Sequence, residues 1–350
     1  MINLKKLAAR LPQTITLKSD HAILIDQLVL PGRLRFVKIR TYREMIKSIY
    51  DLQVRGAPAI GAAGASAVYL AAAAFSGNDV AACKKYLAKT GSEIIKTRPT
   101  AVNLAWAVKK VLSESRGQTV AELKKSIYTA AQAIIAADRE NNIALGGHGE
   151  KLIKSGDRIL THCNAGSLAT VWLGTATAPI YLSYLAGKKI KVLMDETRPM
   201  LQGARLTAWE MMRVGVDCQL NIDSACGYLM AHGLVDIVIV GADRVARNGD
   251  VANKIGTYPL ALMAHEHHIP FYVAASLSSI DLTLKSGAAI PIEKRDPAEV
   301  TGDILYWGKP VAPKGAKAFN PVFDVTPAKY VTKIITETGV FTPQQICGII

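Results

Sequence analysis

Residues 236–254, DIVIVGADRVARNGDVANK, decide how the rest of the chain is read. Ile237, Val238, Ile239 and Val240 are four consecutive β-branched residues. A run without polar alternation is the composition of a strand covered on both faces, as in a parallel sheet flanked by helices. It stops at Gly241-Ala242, and Asp243 is the first charged group after it. In open α/β sheets ligands bind in the crevice outside the carboxyl ends of the strands, so Asp243 stands where chemistry is expected. It equally fits a helix cap or a partner for Arg244, because aspartate is common in loops after strands. A polar loop follows, with the turn signal Asn248-Gly249. Asn253 and Lys254 are then expected to open a helix over residues 251–267 and present an amide and an ammonium to the same crevice.

Around this stretch, expected strands at 158–161, 190–194, 217–222 and 271–274 alternate with expected helices at 167–186, 202–214 and 225–232. Strands spaced by helices over two hundred residues describe a doubly wound parallel sheet. The chain before it is mainly helical, with short strand-like pieces at 22–25 and 35–39. Its last helix, 124–145, is expected to stop at Gly146-Gly147. The expected fold is therefore α/β: residues 1–145 form a mainly helical N-terminal domain with short strands, and residues 146–350 a Rossmann-like catalytic domain. No GxGxxG follows any strand, so no dinucleotide cofactor is expected.

Composition narrows the function classes. The chain has 350 residues, half of them apolar and 20% charged, enough for two domains. Its five cysteines have no CxxC spacing, which argues against a disulfide framework or a zinc site and for a reducing cytoplasm. The net charge is +14, but the basic residues are scattered in pairs such as Lys84-Lys85 and Lys188-Lys189. Aromatics make up 6% and do not interleave with them, so nucleic acid is not an expected partner. Nor is a membrane: the nearest apolar run, 57–75, is rich in alanine and suits close helix packing. Adjacent His265, Glu266, His267 and His268 point in different directions on a helix and make a poor metal site.

Other polar groups fall at element ends. In Arg55-Gly56-Ala57-Pro58, proline suits a first helical turn, and the free amides of Gly56 and Ala57 beside Arg55 would form an anion site. The small residues Gly61 to Gly64 equally fit a tight helix crossing. Arg98 again lies beside a helix start. The loop Thr161-His162-Cys163-Asn164-Ala165-Gly166 is expected to open a helix, whose dipole would favour a Cys163 thiolate as base or nucleophile; a buried, inert thiol is the alternative. Asp195, Glu196, Arg198 and Arg205 look like an ion network that leaves Gln202 as a neutral donor, and Asp223 looks like a helix cap.

The segments RGAPAIG, THCNAG, DETRPMLQGARLTAWE, GADRVARNGDVANKIGTY, HIPFYVAA and PIEKRDPAEV together resemble the methylthioribose-1-phosphate isomerases. That family shares its fold with the α, β and δ subunits of eukaryotic initiation factor 2B, and the similarity runs from about residue 40 to the C-terminus. The resemblance implies Cys163 and Asp243 as the catalytic pair. It implies substrate contacts at Arg55, Gly56, Ala57, Arg98, Gln202, Asn253 and Lys254. It also implies an aldose–ketose isomerisation in methionine salvage, with 5-methylthioribose 1-phosphate as substrate, no metal or nucleotide cofactor, and a homodimer. A related isomerase of 5-deoxyribose 1-phosphate or ribose 1,5-bisphosphate, and a non-catalytic regulatory subunit of the same fold, are the alternatives.

Overall fold

The structure is a computed structural model and describes residues 4–99, 101–302 and 305–349. After α1 (Leu4–Ala8), three short antiparallel strands, β1 (Ile15–Leu17), β2 (Ala22–Ile25) and β3 (Phe36–Ile39), form a small sheet. Five helices follow: α2 (Tyr42–Tyr50), α3 (Ala57–Ala74), α4 (Val80–Lys96), α5 (Val102–Glu114) and α6 (Val120–Glu150). Thr41 and Thr119 start α2 and α6 with capping boxes, their hydroxyls meeting the N3 amides while Glu44 and Glu122 reach back. The axis of this half is α3. It is apolar and long enough to cross a bilayer, yet it is buried among its neighbours. A Cβ on Gly61 or Gly64 would press on Asn103 or Leu104 of α5, so the small residues do make a tight crossing.

The second half holds β4 (Arg158–Thr161), α7 (Thr177–Leu185), β5 (Lys191–Asp195), α8 (Ala208–Val214), β6 (Asp217–Asn221) and α9 (Cys226–Ala231). Then come β7 (Ile237–Gly241), β8 (Arg244–Ala246), β9 (Val251–Lys254), α10 (Thr257–Glu266), β10 (Phe271–Ala274) and β11 (Ile280–Asp281). The remainder is α11 (Ala298–Thr301), the hairpin β12 (Leu305–Tyr306) and β13 (Lys309–Pro310), β14 (Phe323–Thr326), β15 (Lys333–Thr336) and β16 (Gly339–Phe341). Seven strands order as β16-β15-β10-β7-β4-β5-β6, all parallel except β16. Every residue of β7 is buried, as its unbroken β-branched run requires. From β4 the chain winds outward to β5 and β6, then crosses to β7 on the other side. The strand order therefore reverses between β4 and β7, where Leu160 pairs with Val238. Such a switch point opens a crevice at the strands' carboxyl ends. The doubly wound α/β fold is as expected.

Three local expectations fail. First, α6 does not stop at Gly146-Gly147 but runs to Glu150. Gly146 and Gly149 are there for contact: a Cβ on either would come within 2.9 Å of Ala178 or 2.5 Å of Pro179 in α7. The division expected at residues 145 and 146 thus falls inside a helix, and we propose that any domain boundary follows Glu150. Second, residues 251–254 are not helical. They form β9 in a second sheet, β11-β8-β9-β14, where Lys254 pairs with Phe323. These strands are too short for their period to show, and β14 arrives from seventy residues away. Third, residues 167–186 are not one helix; a 3₁₀ turn at Ser167–Ala169 and a loop precede α7.

One half-buried carboxyl in α6, Asp138, makes stability sensitive to pH. Asp138 Oδ2 accepts from the Val171 amide at 2.6 Å and from Asn142 Nδ2 at 3.1 Å. Burial nevertheless pushes its pKa up to about 7. A folded-state pKa above the unfolded one means stability that is complete below the unfolded pKa and lost as pH rises through the folded one. The melting temperature is therefore expected to fall between about pH 4 and pH 7. Asp138→Asn should flatten that slope; an unchanged slope in thermal melts across this range would count against the assignment.

Candidate active site

Cys163 follows β4 and Asp243 follows β7, so the two stand on either side of the switch point. Cys163 is 8% exposed and holds a left-handed φ of 65°, which costs a non-glycine residue on the order of 1 kcal/mol or more. Two hydroxyls pin it there. Its amide donates to Thr197 Oγ1 at 2.9 Å, and its carbonyl accepts from Thr207 Oγ1 at 2.7 Å. Gln202 Nε2 reaches its sulfur at 3.4 Å. No α-helix starts here, only a single 3₁₀ turn, so the helix dipole expected to act on the thiol is missing.

The loop beyond Cys163 is braced by a group the sequence reading passed over. Glu210, wholly buried at the start of α8, accepts from Asn164 Nδ2 at 2.9 Å and the Leu168 amide at 3.1 Å with Oε1. Its Oε2 accepts from the Ser167 amide at 2.7 Å and Tyr181 Oη at 2.9 Å. Gly166 makes room, since a Cβ there would lie 2.3 Å from Oε2. Burial raises the Glu210 pKa, while these four donors oppose the rise. Asn164 passes the order on: its Oδ1 accepts from Arg55 Nη1 at 2.7 Å and its carbonyl from Nη2 at 2.9 Å. Glu210, Thr197 and Thr207 all lie within the segment DETRPMLQGARLTAWE, which was the available signal.

Arg55 leads into α3, whose N-cap is Gly56 at φ 91° and whose first turn carries Pro58. A Cβ on Gly56 would sit 2.4 Å from Ala169, so only glycine lets α3 dock on this loop. First-turn amides have no intrahelical acceptor and remain available to an anion. Arg98 pairs with Glu293 at 3.0 Å, yet among the described residues its buried Nε has no partner, nor does the buried Oε1 of Gln202. Buried polar atoms of this kind call for a ligand or water.

Asp243 lies between β7 and β8 rather than capping a helix, and the neighbouring Arg244 faces Asp281 at 3.7 Å. The Asp243 amide donates to the Ala252 carbonyl at 3.0 Å, tying it to β9. Burial raises its carboxyl pKa, against the lowering effect of Lys254, Arg55 and Arg98. Lys254 closes the cavity from β9, its ammonium 4.7 Å above the Phe323 ring. Burial lowers its pKa, with Cys163 and Asp243 pulling the other way. Asn253, also on β9, donates to Thr257 Oγ1 at 3.0 Å. All nine residues expected at the site line this one cavity. Arg205, Arg244, Arg295 and Glu299, which the sequence reading did not assign to a site, line it too.

Other expectations do not hold. Asp195 does not join Arg198 and Arg205: it faces His162 at 3.0 Å, while those arginines donate to the carbonyls of Val300 and Gln27. Asp223 does not cap a helix but accepts from the Thr197 and Arg198 amides at 2.6 and 2.7 Å. His162, Asp195 and Asp223 bring ligand-type atoms within 4.8 Å of one another. Both His162 nitrogens and both Asp223 oxygens are already in hydrogen bonds, which leaves the trio poorly disposed to hold a metal ion.

The initiation factor 2 subunit family model matches residues 53–343. The chain belongs to that family. A 5-deoxyribose 1-phosphate isomerase of Moorella thermoacetica is 49% identical over 94% of both chains. A methylthioribose-1-phosphate isomerase of Carboxydothermus hydrogenoformans is 48% identical over 94% of this chain and 96% of its own. Among solved structures, the 5-methylthioribose 1-phosphate isomerase of Pyrococcus horikoshii superposes with a TM-score of 0.89 at 43% identity, over 97% of this chain and 95% of the other. The translation initiation factor eIF-2B delta subunit of A. fulgidus gives 0.84 at 42% identity, over 95% and 96%. At the level of reaction class, these relatives bear out the expected sugar-phosphate isomerase.

Loss of the Glu210 carboxylate should unlatch the site. Glu210→Leu leaves an amide, two backbone N–H groups and a phenol without their acceptor. It is expected to destabilise the fold by more than about 3 kcal/mol, with Glu210→Gln milder. Denaturant unfolding giving both variants wild-type stability would refute the brace.

Proposed function

We propose that this family member converts 5-methylthioribose 1-phosphate, an aldose, into 5-methylthioribulose 1-phosphate, a ketose, with Asp243 as proton donor and Cys163 as base or stabilising group. The supporting observation is the pairing across the switch point: the Asp243 carboxyl, whose pKa is raised, and the Cys163 thiol share one cavity with Arg55 and Lys254. A phosphate on C1 prevents spontaneous ring opening, so an acid must protonate the ring oxygen as the C1–O bond breaks. An aspartate can donate near neutral pH only if its environment favours the neutral form, and burial pushes Asp243 that way. Hydrogen then moves from C2 to C1, and the C2 hydroxyl gives up its proton as the ketone forms, which restores the proton that Asp243 donated. In one route Cys163 removes the C2 proton and C1 is reprotonated; in the other a hydride shifts directly and Cys163 stabilises the cation.

Arg55, the Gly56 and Ala57 amides, Arg98 and Lys254 are suited to the phosphate. Gln202 and Asn253 are suited to the sugar hydroxyls. The apolar wall of Leu28, Leu52, Pro199, Met200 and Leu206 favours an uncharged 5-substituent. The Moorella relative supports a second reading, in which 5-deoxyribose 1-phosphate is the substrate. Turnover of a panel of 1-phosphorylated pentoses with different 5-groups decides between them, and no turnover of any would favour a non-catalytic subunit.

Asp243→Asn keeps size and polarity but removes the transferable proton, so kcat should fall by about 10⁴-fold or more while substrate still binds. In the wild type, kcat should decline as pH rises through the raised Asp243 pKa, because the acid form is then lost. Arg55→Ala should instead raise KM, by roughly 2–4 kcal/mol of lost binding. Product formed in D₂O carries deuterium at C1 if Cys163 moves the proton, and none if hydride shifts. An Asp243→Asn enzyme keeping more than about a tenth of wild-type kcat defeats the acid assignment.

The reading includes a homodimer. Leu220 of the open β6 edge, Ile222 just after it and Met212 of the adjoining α8 are exposed apolar side chains that support such an interface. Light scattering at micromolar concentration should give twice 37.6 kDa, and Ile222→Lys should shift it toward the monomer. A stable wild-type monomer excludes it.

A further inference from the structure

His162 is a buried ring that the proposed chemistry leaves unused. It is 2% exposed and bridges three segments. Its Nδ1 lies 3.0 Å from Asp195 Oδ2 at the end of β5, and its Nε2 lies 2.8 Å from the Ile255 carbonyl just after β9. A carbonyl only accepts, so Nε2 carries hydrogen; the contact with Asp195 then holds one further proton, on the ring or on the carboxyl. The ring is clamped from the third side by Gly256 at φ 102°, where a Cβ would come within 2.8 Å of Cε1 and 2.9 Å of Nε2. The flanking residues give this clamp its meaning. His162 directly precedes Cys163, and Ile255 directly follows Lys254. One imidazole therefore joins the two backbone segments that carry the thiol and the ammonium in the lining of the cavity. Asp195 holds the ring's orientation through Oδ2.

We infer that His162, oriented by Asp195, is a positioning residue that sets the distance between Cys163 and Lys254 through its bond to the Ile255 carbonyl. The inference rests on the isomerase reading for its kinetic consequences but not for its geometry. Displacement by about 1 Å at a reacting group can lower a rate 10²-fold, so the reach of the ring matters more than its charge. Asparagine places an amide near the position of Nδ1 and glutamine near that of Nε2. His162→Asn thus keeps the Asp195 contact and loses Ile255, whereas His162→Gln does the reverse.

The test uses the full chain with two readouts. One is turnover of 5-methylthioribose 1-phosphate. The other is alkylation of Cys163 by iodoacetamide, followed at that peptide by mass spectrometry, with and without inorganic phosphate. In the wild type, phosphate held by Arg55 and Lys254 should slow alkylation. His162→Asn is expected to lower kcat by about 10- to 100-fold, raise KM and abolish the phosphate effect, while His162→Gln recovers most of each. Equal impairment of the two variants, a phosphate effect intact in His162→Asn, or a wild-type rate indifferent to phosphate overturns the inference. If neither variant folds, Gly256→Ala pushes the ring from Ile255 without deleting a polar group, and wild-type behaviour there overturns it as well. Absence of turnover in the wild type, with the phosphate effect and its loss as expected, removes the isomerase reading and leaves the positioning role standing.

Discussion

The site depends on one buried carboxylate. Glu210 gathers a side-chain amide, two backbone amides and a phenol around itself, and in doing so fixes the loop that leaves β4. Isolated, such a charge would be expelled from the interior; with four donors it becomes an anchor. The loop just beyond the thiol hangs from it, while Thr197 and Thr207 pin Cys163 itself. The loop's order lets Cys163 keep an unfavourable backbone angle, and it aims Asn164 so that its oxygen faces Arg55. Arg55 in turn belongs to the chain entering α3, the axis of the helical half. A carboxylate on α8 thus links the sheet's chemistry to the packing of the N-terminal helices.

The two halves are also joined by the first residues of the chain. Leu7 and Leu11 pack with Leu145, Trp172 and Tyr181 beneath the sheet, and Trp172 Nε1 donates to the Leu11 carbonyl at 2.8 Å. Tyr181 is one of the four donors to Glu210, so this apolar cluster reaches the anchor itself. Rigidity of the loop therefore follows from burial on one side and saturated hydrogen bonding on the other.

How much of this could be read from the residues alone follows from the range of each signal. The β-branched run at 237–240 marks a doubly covered strand, because periodicity and composition are local properties. The placement of Asp243 at a strand's carboxyl end follows from it. The second sheet was invisible, since β8 and β9 are three and four residues long and β14 pairs from far along the chain. Gly146-Gly147 misled because glycine serves close packing as readily as helix termination, and only the position of α7 tells them apart. Asp195 next to Arg198 suggested an ion pair, but strand geometry turned that carboxylate toward His162, thirty-three residues earlier. Individual site residues were legible through long motifs; the groups that hold them, Glu210 above all, were not, because a brace is defined by what converges on it in space.

The charge balance of the cavity bears on how an acid survives there. Arg98, Arg244 and Arg295 each face a carboxylate, in Glu293, Asp281 and Glu299. Arg55 faces a neutral amide and Lys254 an aromatic ring, so their charge is not neutralised by those contacts. Both lower the pKa of Asp243, working against the burial that raises it. On the proposed reading, a phosphate dianion held between Arg55 and Lys254 cancels that lowering effect and adds a negative charge of its own. Each change favours the protonated carboxyl. The acid is then most fully protonated when the substrate is in place, and least so in the free enzyme. Binding the group that takes no part in bond breaking thereby prepares the one that does, and the two roles are coupled through the same two cations.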